Sequence, residues 1–285
     1  MPQKAYAGIA SVFGASIKGD RADQQDSFRS ICLRAERAWL LLIADGMGGH
    51  AAGGVASNIA ADTFVSSFIG AREAAVSIED ALRSALDAAN NKILRQQNAS
   101  PELRGMGTTL VAAYMTSQCL AWISVGDSPL WACQQGRIVR LNQDHSLRSL
   151  VPDHDAAARN MLISALNGAE VPEIDCQMHS NPLRAGDALI LSSDGLLTLN
   201  ESEIETIVGA KRDTDAEQKV NRLLNAVKQR AKSRQDNCSV VIATAMTRDG
   251  SATQFRHLKL WLFFGSFVLA CALVWLWLLH MGMGW

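Results

Sequence analysis

The sequence predicts an α+β fold, and three observations carry that prediction. Apolar runs of strand length recur with turn residues between them. Helical patterns at steps of three and four occupy separate stretches. The two kinds come in groups rather than in strict alternation, which disfavours a doubly wound parallel sheet.

Taken in order, the candidate strands are Ala7 to Val12, Trp39 to Ala44, Thr109 to Met115, Leu120 to Val125, Leu130 to Cys133, Ile138 to Leu141, Ala188 to Ser192 and Ser239 to Ala245. Short turns separate Leu120–Val125, Leu130–Cys133 and Ile138–Leu141, so the three read as consecutive antiparallel hairpins. Val55, Ile59, Thr63 and Ser67, with Ala56, Ala60, Phe64 and Phe68 one step on, predict a helix over Ala51 to Phe68. Ile78, Leu82, Leu86, Ala89 and Ile93 predict the next, and a third runs from Asp215 to about Lys232. Its basic residues, Lys219 among them, read as a solvated face.

Composition narrows the function classes. A formal net charge of -1 leaves no excess of cations to neutralise a phosphate backbone, so no nucleic-acid partner is expected. Six cysteines without a C-x-x-C pair read as reduced core residues, not a disulfide framework or a zinc site. Met1 to Val12 holds no apolar stretch long enough for a signal peptide.

The C-terminal part differs in character. Leu260 to Leu279 carries no formal charge, and as a helix rising ~1.5 Å per residue it would cover the ~30 Å core of a bilayer. Four of the seven tryptophans lie in or beyond this run, while Arg256, His257 and Lys259 precede it. The expected organisation is one folded domain over 1–246, a polar and basic linker over 247–259, a transmembrane helix over 260–279 and a short tail over 280–285. The positive-inside rule then keeps the large domain in the cytoplasm, as expected of a single-pass membrane protein.

Aspartates fall at the ends of the apolar runs. Leu40–Ala44 leads into Asp45-Gly46, Ile123–Val125 into Gly126-Asp127 and Leu189–Ser193 into Asp194-Gly195, while Asp236-Asn237 opens the last strand. A single Asp-Gly after a strand is more often a plain turn. If these edges converge, however, the carboxylates form a cluster of hard oxygen donors suited to Mg²⁺ or Mn²⁺.

Asp45-Gly46-Met47-Gly48-Gly49-His50, Gly107-Thr108-Thr109, Gly126-Asp127-Ser128, Asp144-His145-Ser146, Ser193-Asp194-Gly195-Leu196 and Asp236-Asn237-Cys238-Ser239 resemble, in order and spacing, the motifs of the bacterial PPM-type (type 2C) protein phosphatases. The resemblance covers about Ala7 to Ala245. It implies a four-layer αββα sandwich of two mostly antiparallel sheets flanked by helices. It also implies two Mn²⁺ or Mg²⁺ ions: Asp45 bridges both, the Gly46 carbonyl binds one, and Asp194 and Asp236 bind the other. Asp26 would stand behind the ligands or bind through water, and Asp127 would hold a third, weaker ion.

Arg21 corresponds to the family arginine that binds the phosphate, where a planar fork holds two oxygens of a dianion at once. On its own it would read as a surface arginine paired with Asp20 or Asp23. The implied reaction is hydrolysis of phosphoserine and phosphothreonine in proteins by a hydroxide shared between two divalent cations. A cognate kinase at the same membrane is the implied counterpart.

The sequence departs from the family at three places. Gln25 stands where an acidic residue is usual, and Ser164 where many relatives carry arginine. Met47 follows Asp45-Gly46 where animal relatives have histidine, leaving His50 as leaving-group acid, as a group behind the ligands, or as the start of a helix. Asp144 reads as the cap of a short helix with His145 in its first turn. Gln25 and Ser164 motivate an alternative from another class, a phosphatase-like module that binds phosphoproteins without turnover. A binuclear-metal nuclease is a weaker third reading, because no basic groove is evident.

Overall fold

The computed structural model describes residues 9–48, 51–147, 161–180, 183–210 and 215–245. The chain divides into two units, Met1–Met246 and Thr247–Trp285, and every described residue belongs to the first. The predicted span over 260–279 therefore lies outside the described residues. Among these, no helix is long and apolar enough to cross a membrane.

Among the described residues, eleven strands form two sheets. One contains β2 (Asp26–Leu33), β3 (Ala38–Met47), β5 (Leu110–Met115), β6 (Leu120–Val125) and β9 (Asp175–His179) in that spatial order, with β4 (Gly107–Thr108) paired to the end of β3. The other runs β1 (Ile9–Ile17), β11 (Cys238–Ala245), β10 (Ala188–Ser192), β7 (Leu130–Gln134) and β8 (Arg137–Arg140). All pairings among the described residues are antiparallel.

Successive side chains of a strand point to opposite faces, and here both faces are apolar. In β3, Trp39, Leu41 and Ile43 enter the layer between the sheets, where they meet Leu189 and Leu191 of β10 and Val241 and Ala243 of β11. Leu40, Leu42 and Ala44 face the other way, onto helices α1 (Ala51–Glu73) and α2 (Ile78–Ala99). Ala188, Ile190, Val240 and Ile242 likewise pack against α3 (Glu201–Val208) and α4 (Ala216–Arg230). The result is the expected order of layers: helices, sheet, sheet, helices.

Three sequence expectations need correction. β6 and β7 do not form a hairpin. Gly126, at φ +100, and Asp127 carry the chain from one sheet to the other, so only β7 and β8 pair across the short turn. That turn has positive φ at both Gln135 and Gly136, as a tight hairpin requires. His145 is not in a helical turn; Asp144 Oδ1 instead accepts from Ser146 N and Oγ at 3.0 and 2.6 Å, an Asx-type turn. Lys219, placed on a solvated helix face, is 5 % exposed, and its ammonium donates to the carbonyl of Val208.

Candidate active site

The ends of β2, β3, β10 and β11 meet at one end of the sandwich. Asp45 stands near the end of strand β3, which continues to Met47 because Gly46 and Met47 pair with Thr108 and Gly107. Its backbone is held on both sides. Thr109 Oγ1 accepts from Asp45 N at 3.1 Å, while the Asp45 carbonyl accepts from Thr108 Oγ1 at 2.8 Å and Thr109 N at 2.9 Å. Gly46 must lack a side chain, since a Cβ there would lie 2.0 Å from the carbonyl oxygen of Gly53 and 2.7 Å from that of Gln25.

Asp26 sits directly opposite Asp45 in the β2–β3 register. Cross-strand neighbours at this position bring their Cβ atoms within about 5 Å, so two carboxylates facing each other repel. Asp26 is 7 % exposed; its Oδ2 accepts from Ser193 Oγ at 2.7 Å, and Oδ1 has no hydrogen-bond partner. Burial raises its pKa to about 6, with the Ser193 hydroxyl pulling it back and Asp194 and Asp236 pushing it up. Asp45 is held well above the ordinary carboxylate range, first by burial and then by Asp26, Asp194, Asp127 and Asp236. Burial is the larger cause for both groups, and the mutual repulsion of the gathered carboxylates adds to it.

The other sheet supplies Asp194 and Asp236. Asp194 begins a 3₁₀ turn, Asp194–Thr198, immediately after β10. Asp236 precedes β11 and accepts from Arg21 Nη2 at 2.5 Å. Arg21 thus pairs across the site, not with Asp20 or Asp23, and more than half of its side chain is exposed.

Asp127 lies on the crossover between the sheets, 5 % exposed, with its carbonyl accepting from Arg140 Nη2 at 3.0 Å. Asp45, Gly46, Asp127, Asp194, Asp236 and Arg21 line one open cavity of about 650 Å³, together with Gln25, Met47, Thr109 and part of the 161–167 segment, Ser164 not among it. Asp26 stands behind it. His50 lies outside the described residues.

Several residues given no role at the sequence level hold the site together. Asn237 Oδ1 accepts from Gln25 N at 2.8 Å, and its Nδ2 donates to the carbonyls of Lys18 and Asp23 at 2.7 and 3.1 Å. It braces the Arg21 loop against β11. Ser193 links the sheets, donating to Asp26 and accepting from Ser239 N at 3.0 Å. His145 Nδ1 accepts from Gly126 N at 3.3 Å while its backbone N–H donates to the Gly126 carbonyl and its carbonyl accepts from Ile163 N, joining the Asp127 corner to the cavity wall.

Burial lowers the His145 pKa, which suits this neutral, accepting ring. Ser164 is buried, its hydroxyl accepting from Glu173 N at 2.7 Å, and it does not face the cavity. Asn237 and Ser193 each stand beside a site aspartate, Asp236 and Asp194, which is their one trace in the sequence; His145 stands beside none of them.

Among the described residues, no three carboxylate, imidazole or thiol groups close on a single point as a complete cage for one ion. The donor set nonetheless fits small hard cations. It is all oxygen, it includes the orphaned Asp26 Oδ1, and ions of the Mg²⁺ type keep several waters and take only one or two protein carboxylates each.

Comparisons with known proteins agree with this geometry. Residues 13–235 match the family model of protein phosphatase 2C. The chain is 30% identical over 243 residues to the serine/threonine protein phosphatase PstP of Mycobacterium tuberculosis, covering 82% of this chain and 44% of that one. It therefore spans less than half the length of that relative. Against the serine/threonine phosphatase stp of Listeria monocytogenes it is 35% identical over 185 residues, 61% of this chain and 73% of the other. Among solved structures, the catalytic domain of PstP in complex with two manganese ions superposes with a TM-score of 0.68 at 28% identity, over 82% of this chain and 97% of that one.

Proposed function

The chain belongs to the protein phosphatase 2C family, and from that premise we propose that it hydrolyses phosphoserine and phosphothreonine monoesters in proteins with two Mn²⁺ or Mg²⁺ ions as cofactors. The observation that carries the reading is the Asp26–Asp45 pair facing Asp194 and Asp236 across the junction of two sheets. Asp45 would serve both ions, the Gly46 carbonyl one of them, Asp194 and Asp236 the other, and Asp127 a third and weaker one. Bound there, the ions supply an activated water and neutralise charge on the phosphoryl oxygens.

The chain's own residues do the remaining work. Arg21 presents its guanidinium at the cavity mouth, where its fork can take two oxygens of a phosphate dianion. Its bond to Asp236 aims it without burying it. Asn237 holds the loop from which Arg21 projects, and Thr108 with Thr109 fixes the Asp45 backbone, so the carboxylates need not reorganise when substrate arrives. Gln25 adds a neutral amide where an acidic side chain would add charge, which favours weaker retention of one ion.

The reading extends to location. A run of twenty residues without a formal charge, 260–279, supports a single membrane span that leaves the phosphatase unit in the cytoplasm. Tethering would raise the effective concentration of substrates at the same surface, a protein kinase and its products among them.

The test is release of phosphate from a phosphothreonine peptide by the full chain, with Mn²⁺ and with a chelator. Metal-dependent turnover that disappears in Asp45→Asn is the expected result. A folded, metal-loaded protein that binds such peptides without product would be a binding module instead.

A further inference from the structure

A second cavity, about 560 Å³, lies behind the wall that carries Arg21. The wall is thin. Gly19, Asp20 and Gln235 line the second cavity, and their chain neighbours Arg21 and Asp236 line the first. It is also rigid: Asp20 N donates to the Gln235 carbonyl at 2.8 Å and Gln235 N to Asp20 Oδ2 at 3.0 Å. A Cβ on Gly19 would come within 2.4 Å of the Asp236 carbonyl oxygen, so the two strands of the wall touch.

Three lysines face this cavity: Lys18 from the end of β1, Lys228 from the last turn of α4 and Lys232 from just beyond it. Lys18 donates to the Ala22 carbonyl at 3.2 Å. Lys228 and Lys232 are exposed and pair with no carboxylate among the described residues. Among the described residues, the one acidic side chain lining the cavity, Asp20, already accepts from Gln235 N. Complementing the negative end of α4 accounts for Lys228 and Arg230 in its last turn. It does not account for the grouping of Lys228 with two lysines from outside the helix.

We propose that this cavity is a subsite for an acidic group of the phosphoprotein substrate, a carboxylate or a second phosphate near the scissile phosphoresidue, held by Lys228 and Lys232. The inference rests on the phosphatase reading and adds to it a preference among substrates. A phosphoresidue placed at Arg21 leaves its flanking chain beside the shared wall, and extended peptide advances about 3.3 Å per residue, so a group only a few positions away reaches the lysines. Such exposed contacts act on encounter and binding, hence on KM more than on kcat.

The experiment compares three phosphothreonine peptides, with neutral flanks, with flanking Asp and Glu, and with a second phosphoserine, hydrolysed by the full chain and by its K228A/K232A variant. Expected is a lower KM for at least one acidic peptide, giving about a fivefold gain in kcat/KM, abolished in the variant while the neutral peptide is cleaved as before. Equal kcat/KM for all peptides in the unaltered protein overturns the subsite and leaves the phosphatase reading standing. So does a preference that survives in the variant, or a variant that slows all peptides alike. Loss of adsorption to phosphatidylserine vesicles with peptide preference intact would assign the lysines to a lipid surface and overturn it too. If no peptide is hydrolysed by the unaltered protein, the phosphatase reading itself falls and takes the subsite with it.

Discussion

Asp45 combines burial with the repulsion of four other carboxylates, and Arg21 and Asp236 hold each other across its cavity. Replacing Asp45 by Asn keeps the shape and removes the charge. The expected loss of turnover is roughly two orders of magnitude or more, the scale for removing one charge-stabilising group. Circular dichroism should show an unchanged fold, and calorimetric titration with Mn²⁺ should show weaker uptake.

Asp26 predicts a pH dependence. With its folded pKa near 6 and an unfolded value near 4, the metal-free native state binds more protons than the unfolded chain in that window. Its stability should therefore fall as pH rises from about 4 to about 6 and stay lower above it. Saturating Mn²⁺ takes the place of the proton and should flatten this slope. Urea unfolding across that range, with chelator and with Mn²⁺, measures both.

His145 holds a different part of the site. His145→Ala leaves the buried Gly126 N–H without its acceptor and should cost about 1–3 kcal/mol in urea unfolding. His145→Asn, which offers a carbonyl oxygen near the place of Nδ1, should recover most of that stability and the Mn²⁺ concentration needed for half-maximal activity.

Elements differed in how plainly the sequence announced them. β3, β6, β10 and β11 are buried on both faces, so they appear as unbroken apolar runs, and their expected limits fall close to the observed ones. β2 and β9 escaped notice because each is an edge strand of its sheet, with polar residues such as Arg29, Ser30, Gln177 and His179 exposed or half-buried. The β6–β7 connection misled for another reason. Loop length cannot tell a hairpin from a step between stacked sheets, and here Gly126 and Asp127 make the step.

The aspartates at strand ends were legible, because the same local pattern repeated four times. Their braces were not: Asn237 and Ser193 act through partners 212 and 167 residues away in sequence. Asn237→Ala should disorder the loop carrying Arg21, raising KM several-fold for a phosphopeptide and for a small aryl phosphate alike, since both present the same dianion. Steady-state kinetics on the two substrates provides the comparison.

At the scale of the whole chain, the compact unit that holds the site ends at Met246 and the uncharged run begins well beyond it. Deleting Leu260 to Trp285 should leave hydrolysis of a small phosphoester within about twofold and move the protein from the membrane to the soluble fraction. Fractionation of expressing cells and an activity assay on both fractions decide the matter; a deletion variant that precipitates unfolded would assign the run to a core.

The donors are shared between the two sheets. Asp26 and Asp45 come from one, Asp194 and Asp236 from the other, and Asp127 from the strand-to-strand step between them. Any ion seated among them is also a rivet through both layers, closing the end of the sandwich where like charges would otherwise prise it apart. Loading the protein with Mn²⁺ should therefore slow amide exchange at Ser193 and Ser239, on the seam itself, while residues at the opposite rim, such as Ala245, keep their rates.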